Sequence, residues 1–352
     1  MNPSRRSRYL SLSVLLGLTF AGLLACSGGH GGGREGAGEA PATGGAPATE
    51  PGRGASLSLK GSDTMVILAQ RFAEGYMASH AGSVVEVSGG GSGTGLAALL
   101  NGTTDIANSS RPINEREIAS LRDSRHVEAV ETRVALDALA VYVSNDNPLP
   151  SITLTQLSAI YRGEITNWSA VGGADAPIVL YSRENNSGTY AYFKEHVLGG
   201  ADFAATAQTL PGTAAVINAV AHDPNGIGYG GIGYAEGVRT VPVAGEDGVP
   251  VPPTLENATS GRYPIARFLF MYTAGPATGA AAEFLAWAVT PEGQHVVEEA
   301  GFYPLPRDAA PSAEPAAPVE GAAPAAPVEG AAPAEPAAPT EGAAAPAVAP
   351  PT

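Results

Sequence analysis

Three short stretches of this 352-residue chain place hydroxyls, backbone amides and, in one case, a guanidinium at spacings that suit an anion. They are Ser88-Gly89-Gly90-Gly91-Ser92-Gly93-Thr94-Gly95, Gly61-Ser62-Asp63-Thr64-Met65 and Arg183-Glu184-Asn185-Asn186-Ser187-Gly188-Thr189. Each follows a strand-like run and leads into a helix-like one. The first turn of a helix has N–H groups without intrahelical partners and a partial positive charge, so a strand-to-helix loop is a natural anion cradle. Glycines there allow backbone conformations closed to other residues and leave the amides open to a ligand. The ordinary alternative is that Ser62, Ser92 and Ser187 are helix N-caps. Three loops of one build, with Arg183 adjoining the third, set anion binding beside that alternative. A fourth segment, Asp105-Ile106-Ala107-Asn108-Ser109-Ser110-Arg111-Pro112, ends a short strand in polar residues and a proline.

The elements that must position these loops follow from apolar periodicity. Strands are expected at 57–60, 84–87, 134–144, 178–181 and 268–273, and helices at 66–79, 96–101, 155–161, 190–198, 214–222 and 280–289. That alternation predicts an α/β architecture with mainly parallel sheets, in which ligand sites lie beyond the C-terminal ends of strands. The segment Leu57 to Arg307 is long enough for one large or two medium domains. Tyr161, Trp168, Phe193 and Trp287 are expected in the core, and Glu298-Glu299 on a solvated helix face.

Both ends of the chain read differently. Arg5, Arg6 and Arg8, the apolar run Leu10 to Leu24 and Leu23-Leu24-Ala25-Cys26 form the pattern of a bacterial lipoprotein signal peptide (1–25), with Cys26 as the lipidation site. Cys26 is the single cysteine, so no internal disulfide is possible. Residues 26–56 form a Gly/Ala/Pro-rich tether. Residues 308–352 form a Pro/Ala-rich tail that repeats Pro-Ala-Ala-Pro-Val-Glu-Gly-Ala-Ala from Pro315 and Pro324, which predicts an extended, disordered spacer.

The formal net charge is −15, and loss of the first 25 residues, with three arginines and no acid, makes it more negative. That argues against nucleic acid and against any broad attraction for anions, so an anion must be held by local dipoles and a buried arginine. No cysteine pair or close His/Glu cluster suggests a metal, and no cofactor is expected. A serine hydrolase acting through Ser92 or Ser187 would need a base, and His30, His80, His126, His196, His222 and His295 stand in no recognisable relation to either.

The order of these four segments, together with Ile160-Tyr161-Arg162-Gly163-Glu164-Ile165-Thr166-Asn167-Trp168, Gly226-Ile227-Gly228-Tyr229 and Gly301-Phe302-Tyr303-Pro304-Leu305-Pro306, resembles the phosphate-binding proteins of Pst-type ABC transporters. The resemblance covers essentially all of Leu57 to Arg307. It implies a two-lobed periplasmic-binding fold of type II with phosphate enclosed between α/β lobes. The crossovers would lie near Ala140–Asp146 and Thr259–Ala266, giving lobe 1 as 57–142 with 264–307 and lobe 2 as 143–263. It implies phosphate ligands at Thr64, Met65 through its amide, Ser92 with the amides of Gly93 and Thr94, Ser110, Arg183, Ser187, Gly188 and Thr189. It further implies an exported, lipid-anchored monomer, periplasmic or on the cell surface, that delivers inorganic phosphate to a membrane permease and is not an enzyme. Other family members carry a carboxylate where this chain has Ser110, and that carboxylate accepts the proton of hydrogen phosphate and so rejects sulfate. Asp63 is the replacement candidate here, with helix capping as its alternative role. Arg111 is expected either as a second ligand or as a partner of Asp63 or Asp105. Molybdate or sulfate as ligand, and a surface protein that sequesters phosphate, are the alternatives.

Overall fold

The computed structural model describes residues 56–306. The signal peptide, Cys26, all of the tether but Ser56, and the tail lie outside the described residues.

The chain alternates strands and helices from its first described residue. β1 (Ser56–Gly61) passes through a 3-10 turn (Asp63–Met65) into α1 (Val66–Ser79), then β2 (Val84–Ser88), α2 (Ser92–Leu100), β3 (Ile106–Ser109), α3 (Glu115–Arg125) and the long β4 (Ala129–Val143). There follow β5 (Ile152–Thr153), α4 (Leu154–Tyr161), β6 (Val179–Arg183), α5 (Gly188–His196), β7 (Gln208–Leu210), α6 (Gly212–Ala221) and β8 (Gly226–Gly231). A 3-10 turn (Ile232–Tyr234), β9 (Arg239–Val241), β10 (Val243–Ala244), β11 (Pro250–Val251) and α7 (Leu255–Thr259) lead to β12 (Ala266–Ala274), α8 (Gly279–Ala288) and α9 (Pro291–Glu299).

Nine strands hydrogen bond in the order β2-β1-β3-β12-β4-β8-β6-β7, with β9 also beside β4; β11-β10-β5 form a small second sheet. The parallel pairing expected from the sequence holds on both sides, β2-β1-β3 and β7-β6-β8. Antiparallel pairs of the large sheet arise wherever β4 or β12 takes part. These two strands join the halves. β4 pairs with β12 through Ala138 and with β8 from Leu139 onward, so one strand serves both lobes. From Ala138 to Val143 it is apolar throughout and buried on both faces, as an apolar run without alternation requires.

Each lobe has its own core. In one, α1 turns Leu68, Phe72 and Tyr76 inward at helical spacing against Phe284 and Trp287 of α8. In the other, Phe193 of α5 stacks on Tyr229 of β8 at 4.0 Å between ring centroids, with Tyr161 and Trp168 in the same cluster. The four aromatics assigned to the core from sequence are all buried. Helix starts are locally specified: Asn114 with Glu117 and Thr153 with Gln156 form reciprocal capping boxes.

Candidate anion site

Three strand-to-helix loops converge where the lobes meet. Thr64 sits in the 3-10 turn after β1, Ser92 is the first residue of α2, and Gly188 opens α5 with Ser187 as its N-cap. α2 starts four residues before the expected Leu96. Its N-cap, Gly91, has a φ of +88°, a conformation that glycine alone adopts without strain. Gly91 also lies under the Asn186 carbonyl of the opposite lobe, where an added Cβ would come within 2.7 Å.

The hydroxyls of these loops form one buried cluster. Thr189 Oγ1 lies 2.8 Å from Thr64 Oγ1 and 3.4 Å from Ser110 Oγ, and Ser110 Oγ lies 3.4 Å from Ser92 Oγ. The Ser110 amide donates to Ser92 Oγ at 3.1 Å. Thr64, Ser92, Ser110, Ser187 and Thr189 are all nearly inaccessible to solvent. Ser187 does cap α5, its Oγ accepting from the Tyr190 amide at 3.3 Å, while Ser62 and Ser92 make no such cap bond to their helices.

Arg183 is buried beside this cluster. Its Nη1 donates to Thr213 Oγ1 at 2.7 Å and its Nη2 to Asp63 Oδ2 at 3.0 Å across the cleft. Burial pushes its pKa down, and the Asp63 carboxylate opposes that. Asp63 Oδ1 accepts from the Gly90 amide at 2.8 Å, so this carboxylate ties the second lobe's arginine to the glycine-rich loop.

Some expected donors are otherwise engaged. The Met65 amide closes the 3-10 turn on the Ser62 carbonyl at 3.0 Å, and the Met65 side chain lies in the core. The Gly93 amide donates to the Asn186 carbonyl at 2.9 Å, and Asn186 Nδ2 returns a bond to the Gly90 carbonyl at 3.0 Å. These bonds latch the lobes together. Thr94 stands in the first turn of α2, one residue beyond Gly93. Arg111 is the clear correction: it makes a two-pronged ion pair with Glu117 at 2.7 and 2.8 Å and donates to the Pro112 carbonyl. Glu117, brought back by the α3 capping box, outcompetes both acids considered for it. Asp105 instead accepts from the amide and hydroxyl of Ser58.

Three residues at the site escaped the sequence reading, Thr213, Asp137 and Arg267, and Asn186 stood in the third loop with no role assigned. Arg267 donates through Nε and Nη2 to Asp137 Oδ2 at 3.1 and 3.0 Å, and through Nη2 to Thr189 Oγ1 at 2.9 Å. Both side chains of this pair are inaccessible. Burial pushes the Asp137 carboxyl up, against the pull of Arg267. The detectable signal was a single charge in each of two apolar strand runs, Leu136-Asp137-Ala138 and Ala266-Arg267-Phe268. Among the described residues, Arg183 Nε, Arg267 Nη1 and Asn108 Oδ1 are buried with no hydrogen-bond partner.

The PBP superfamily domain profile matches residues 45–292. Phosphate-binding protein PstS of Pseudomonas aeruginosa is 34% identical over 276 residues, spanning 73% of this chain and 85% of that one. The Bacillus subtilis protein of the same name is 33% identical over 251 residues, spanning 71% and 81%. Among solved structures, an ABC-type phosphate transport receptor from Vibrio cholerae aligns with a TM-score of 0.58 at 28% identity, covering 71% of this chain and all of that one.

Proposed function

The chain belongs to the PBP superfamily, among phosphate-binding proteins of the PstS type, and we propose that it captures inorganic phosphate between its lobes and delivers it to an ABC-type permease. The observation that carries this reading is the convergence of the buried Thr64, Ser92, Ser110 and Thr189 hydroxyls, the α5 N-terminus and Arg183 between the lobes. A dehydrated phosphate needs many donors, and hydroxyls and amides supply them without adding full charges. The buried Arg183 Nε–H, which has no acceptor, supports the same reading, since an unmade buried hydrogen bond is costly and an oxyanion can relieve it.

In this proposal the ligands are Thr64, Ser92, Thr94, Ser110, Arg183, Ser187, Gly188 and Thr189. Lobe 1 is 57–142 with 264–307 and lobe 2 is 143–263; in support, β4 changes partner from β12 to β8 at Ala138/Leu139, a few residues before the first limit. The protein binds phosphate without transforming it. In support, the two serines considered as nucleophiles bond to Ser110 and to the Tyr190 amide rather than to a base. Selectivity rests on Asp63, whose oxygens each retain a lone pair after bonding Gly90 and Arg183, enough to accept the proton of hydrogen phosphate.

Calorimetry on the mature chain tests this: phosphate binds and sulfate does not compete. Asp63→Asn is expected to let sulfate in, because an acceptor-only carboxylate facing a proton-free anion is the repulsive element. Continued exclusion of sulfate by Asp63→Asn would place the acceptor elsewhere. Export as a monomer with lipid on Cys26 completes the proposal. Metabolic labelling with a fatty acid should mark the wild type and not Cys26→Ser; equal labelling of both removes the anchor.

A further inference from the structure

Resting on the phosphate reading, we infer that Arg267, locked in place by Asp137, is a positioning residue that makes Thr189 a donor toward the bound anion. A threonine hydroxyl has one proton and two acceptor lone pairs, whereas a guanidinium only donates. With Arg267 Nη2 at 2.9 Å, Thr189 Oγ1 must accept on that side, and its own proton points elsewhere. The hydroxyl oxygens within reach are Thr64 Oγ1 at 2.8 Å and Ser110 Oγ at 3.4 Å, both in the cleft cluster. An uncommitted threonine could turn its lone pairs to the anion; this one presents its proton.

The geometry holds Arg267 to this task. Arg267 and Asp137 are register partners on β12 and β4, one residue before β4 leaves β12 for β8. Asp137 Oδ2 takes both Nε and Nη2 of the arginine, and Asp137 Oδ1 accepts from the Ile232 amide at 2.9 Å, just past the end of β8. One carboxylate therefore fixes the guanidinium against three chain segments. On its other side the guanidinium lies over the Tyr192 ring, 5.3 Å from the centroid, and the Tyr192 hydroxyl donates to the Ala266 carbonyl at 2.8 Å. Tyr192 and Thr189 both belong to α5, so the pair sets this helix against the two crossover strands. The ion pair is neutral as a unit, so its effect on the anion runs through hydroxyl orientation rather than through net charge.

A buried ion pair can also be purely structural, and a thermodynamic cycle separates the two roles. Phosphate affinity is measured by calorimetry on the mature chain with wild-type Thr189, with Thr189→Ser and with Thr189→Val. Each background is combined with the neutral pair Asp137→Asn/Arg267→Gln and, separately, with Arg267→Lys. Lysine keeps a charge for Asp137 but cannot serve Asp137 and Thr189 through one planar fork. Circular dichroism verifies folding, and Arg267→Lys carries the cycle if the neutral pair does not fold.

The expected result is a loss of about tenfold or more in the wild-type and Thr189→Ser backgrounds and no more than about twofold with Thr189→Val. The same fold-loss in all three backgrounds would overturn the inference, because the pair would then act without Thr189. A wild-type chain that binds no phosphate would instead overturn the functional reading and the inference with it.

Discussion

Arg183→Ala is expected to weaken phosphate binding at least tenfold and on the order of a hundredfold, because truncating one member of a buried, hydrogen-bonded charge pair costs about 2–5 kcal/mol. Two effects add. The fixed positive charge is lost from a chain whose net charge of −15 offers an anion no general attraction. In addition, Asp63 loses its cation, Arg183 Nη2 at 3.0 Å, and stands as an uncompensated carboxylate beside the site. The second effect makes a distinctive pattern: Arg183→Ala/Asp63→Asn should bind phosphate more tightly than Arg183→Ala alone. Titration calorimetry on the three chains decides it. Unchanged affinity in Arg183→Ala would remove this arginine from the site, and a double variant weaker than the single would mean that the bond Asp63 accepts from hydrogen phosphate outweighs the repulsion of its unpaired charge.

The parts of the site that were legible in the sequence are those built locally. A glycine-rich or hydroxyl-rich loop between an apolar alternation and a helical period announces itself within ten or so residues, and the loops that carry Thr64, Ser92, Arg183 and Thr189 stand out that way, whereas the ligand roles of Thr64 and Thr189 are implied by the family resemblance alone. The second arginine was not, because what makes Arg267 part of the site is a register: β12 runs antiparallel to β4, and that pairing brings Arg267 to Asp137 across 130 residues of sequence. Periodicity describes each strand and says nothing of its neighbour. The amides of Met65 and Gly93 show what a local reading leaves out, since an N–H near a helix start is open only if no nearby carbonyl claims it. Ser62 and Asn186 do so here.

The fold was legible to a similar depth. Amphipathic helices such as α1 and the buried second half of β4 followed from their patterns, although β4 starts at Ala129, earlier than its apolar run suggests. β8, Gly226-Ile227-Gly228-Tyr229-Gly230-Gly231, gave no strand signal because glycine carries no side-chain period. Its glycines serve close packing: a Cβ at Gly228 would come within 2.7 Å of Val216 and 2.8 Å of Val220, so α6 can lie directly on the strand. α2 likewise starts within the glycine-rich loop, where propensity alone disfavours a helix and the packing of Leu96 and Leu99 imposes one.

Gly188→Ala should cost phosphate affinity about ten- to a hundredfold while leaving the chain itself as stable as before or more so. Gly188 is the first residue of α5 and has no positive φ, so alanine fits its backbone and favours the helix by up to about 1 kcal/mol. The obstacle is across the cleft. An added Cβ would overlap Ser92 Oγ and come within 2.8 Å of Ser110 Oγ and 2.9 Å of Ser92 Cβ, all carried by the opposite lobe. Ser92 and Ser110 are themselves buried at the site, so they can yield only by withdrawing their hydroxyls from the anion or by letting the lobes part. Overpacking of this kind costs about 1–3 kcal/mol, and it falls on the closed arrangement alone. A ligand that binds only that arrangement then raises the melting temperature less. Thermal unfolding with and without phosphate, read beside calorimetry, separates the two states: an unchanged or higher Tm without phosphate together with a diminished phosphate-induced rise is the expected signature. Affinity within about threefold of wild type would mean that the lobes do not approach this closely around phosphate, and that Gly188 is there for the helix rather than for closure.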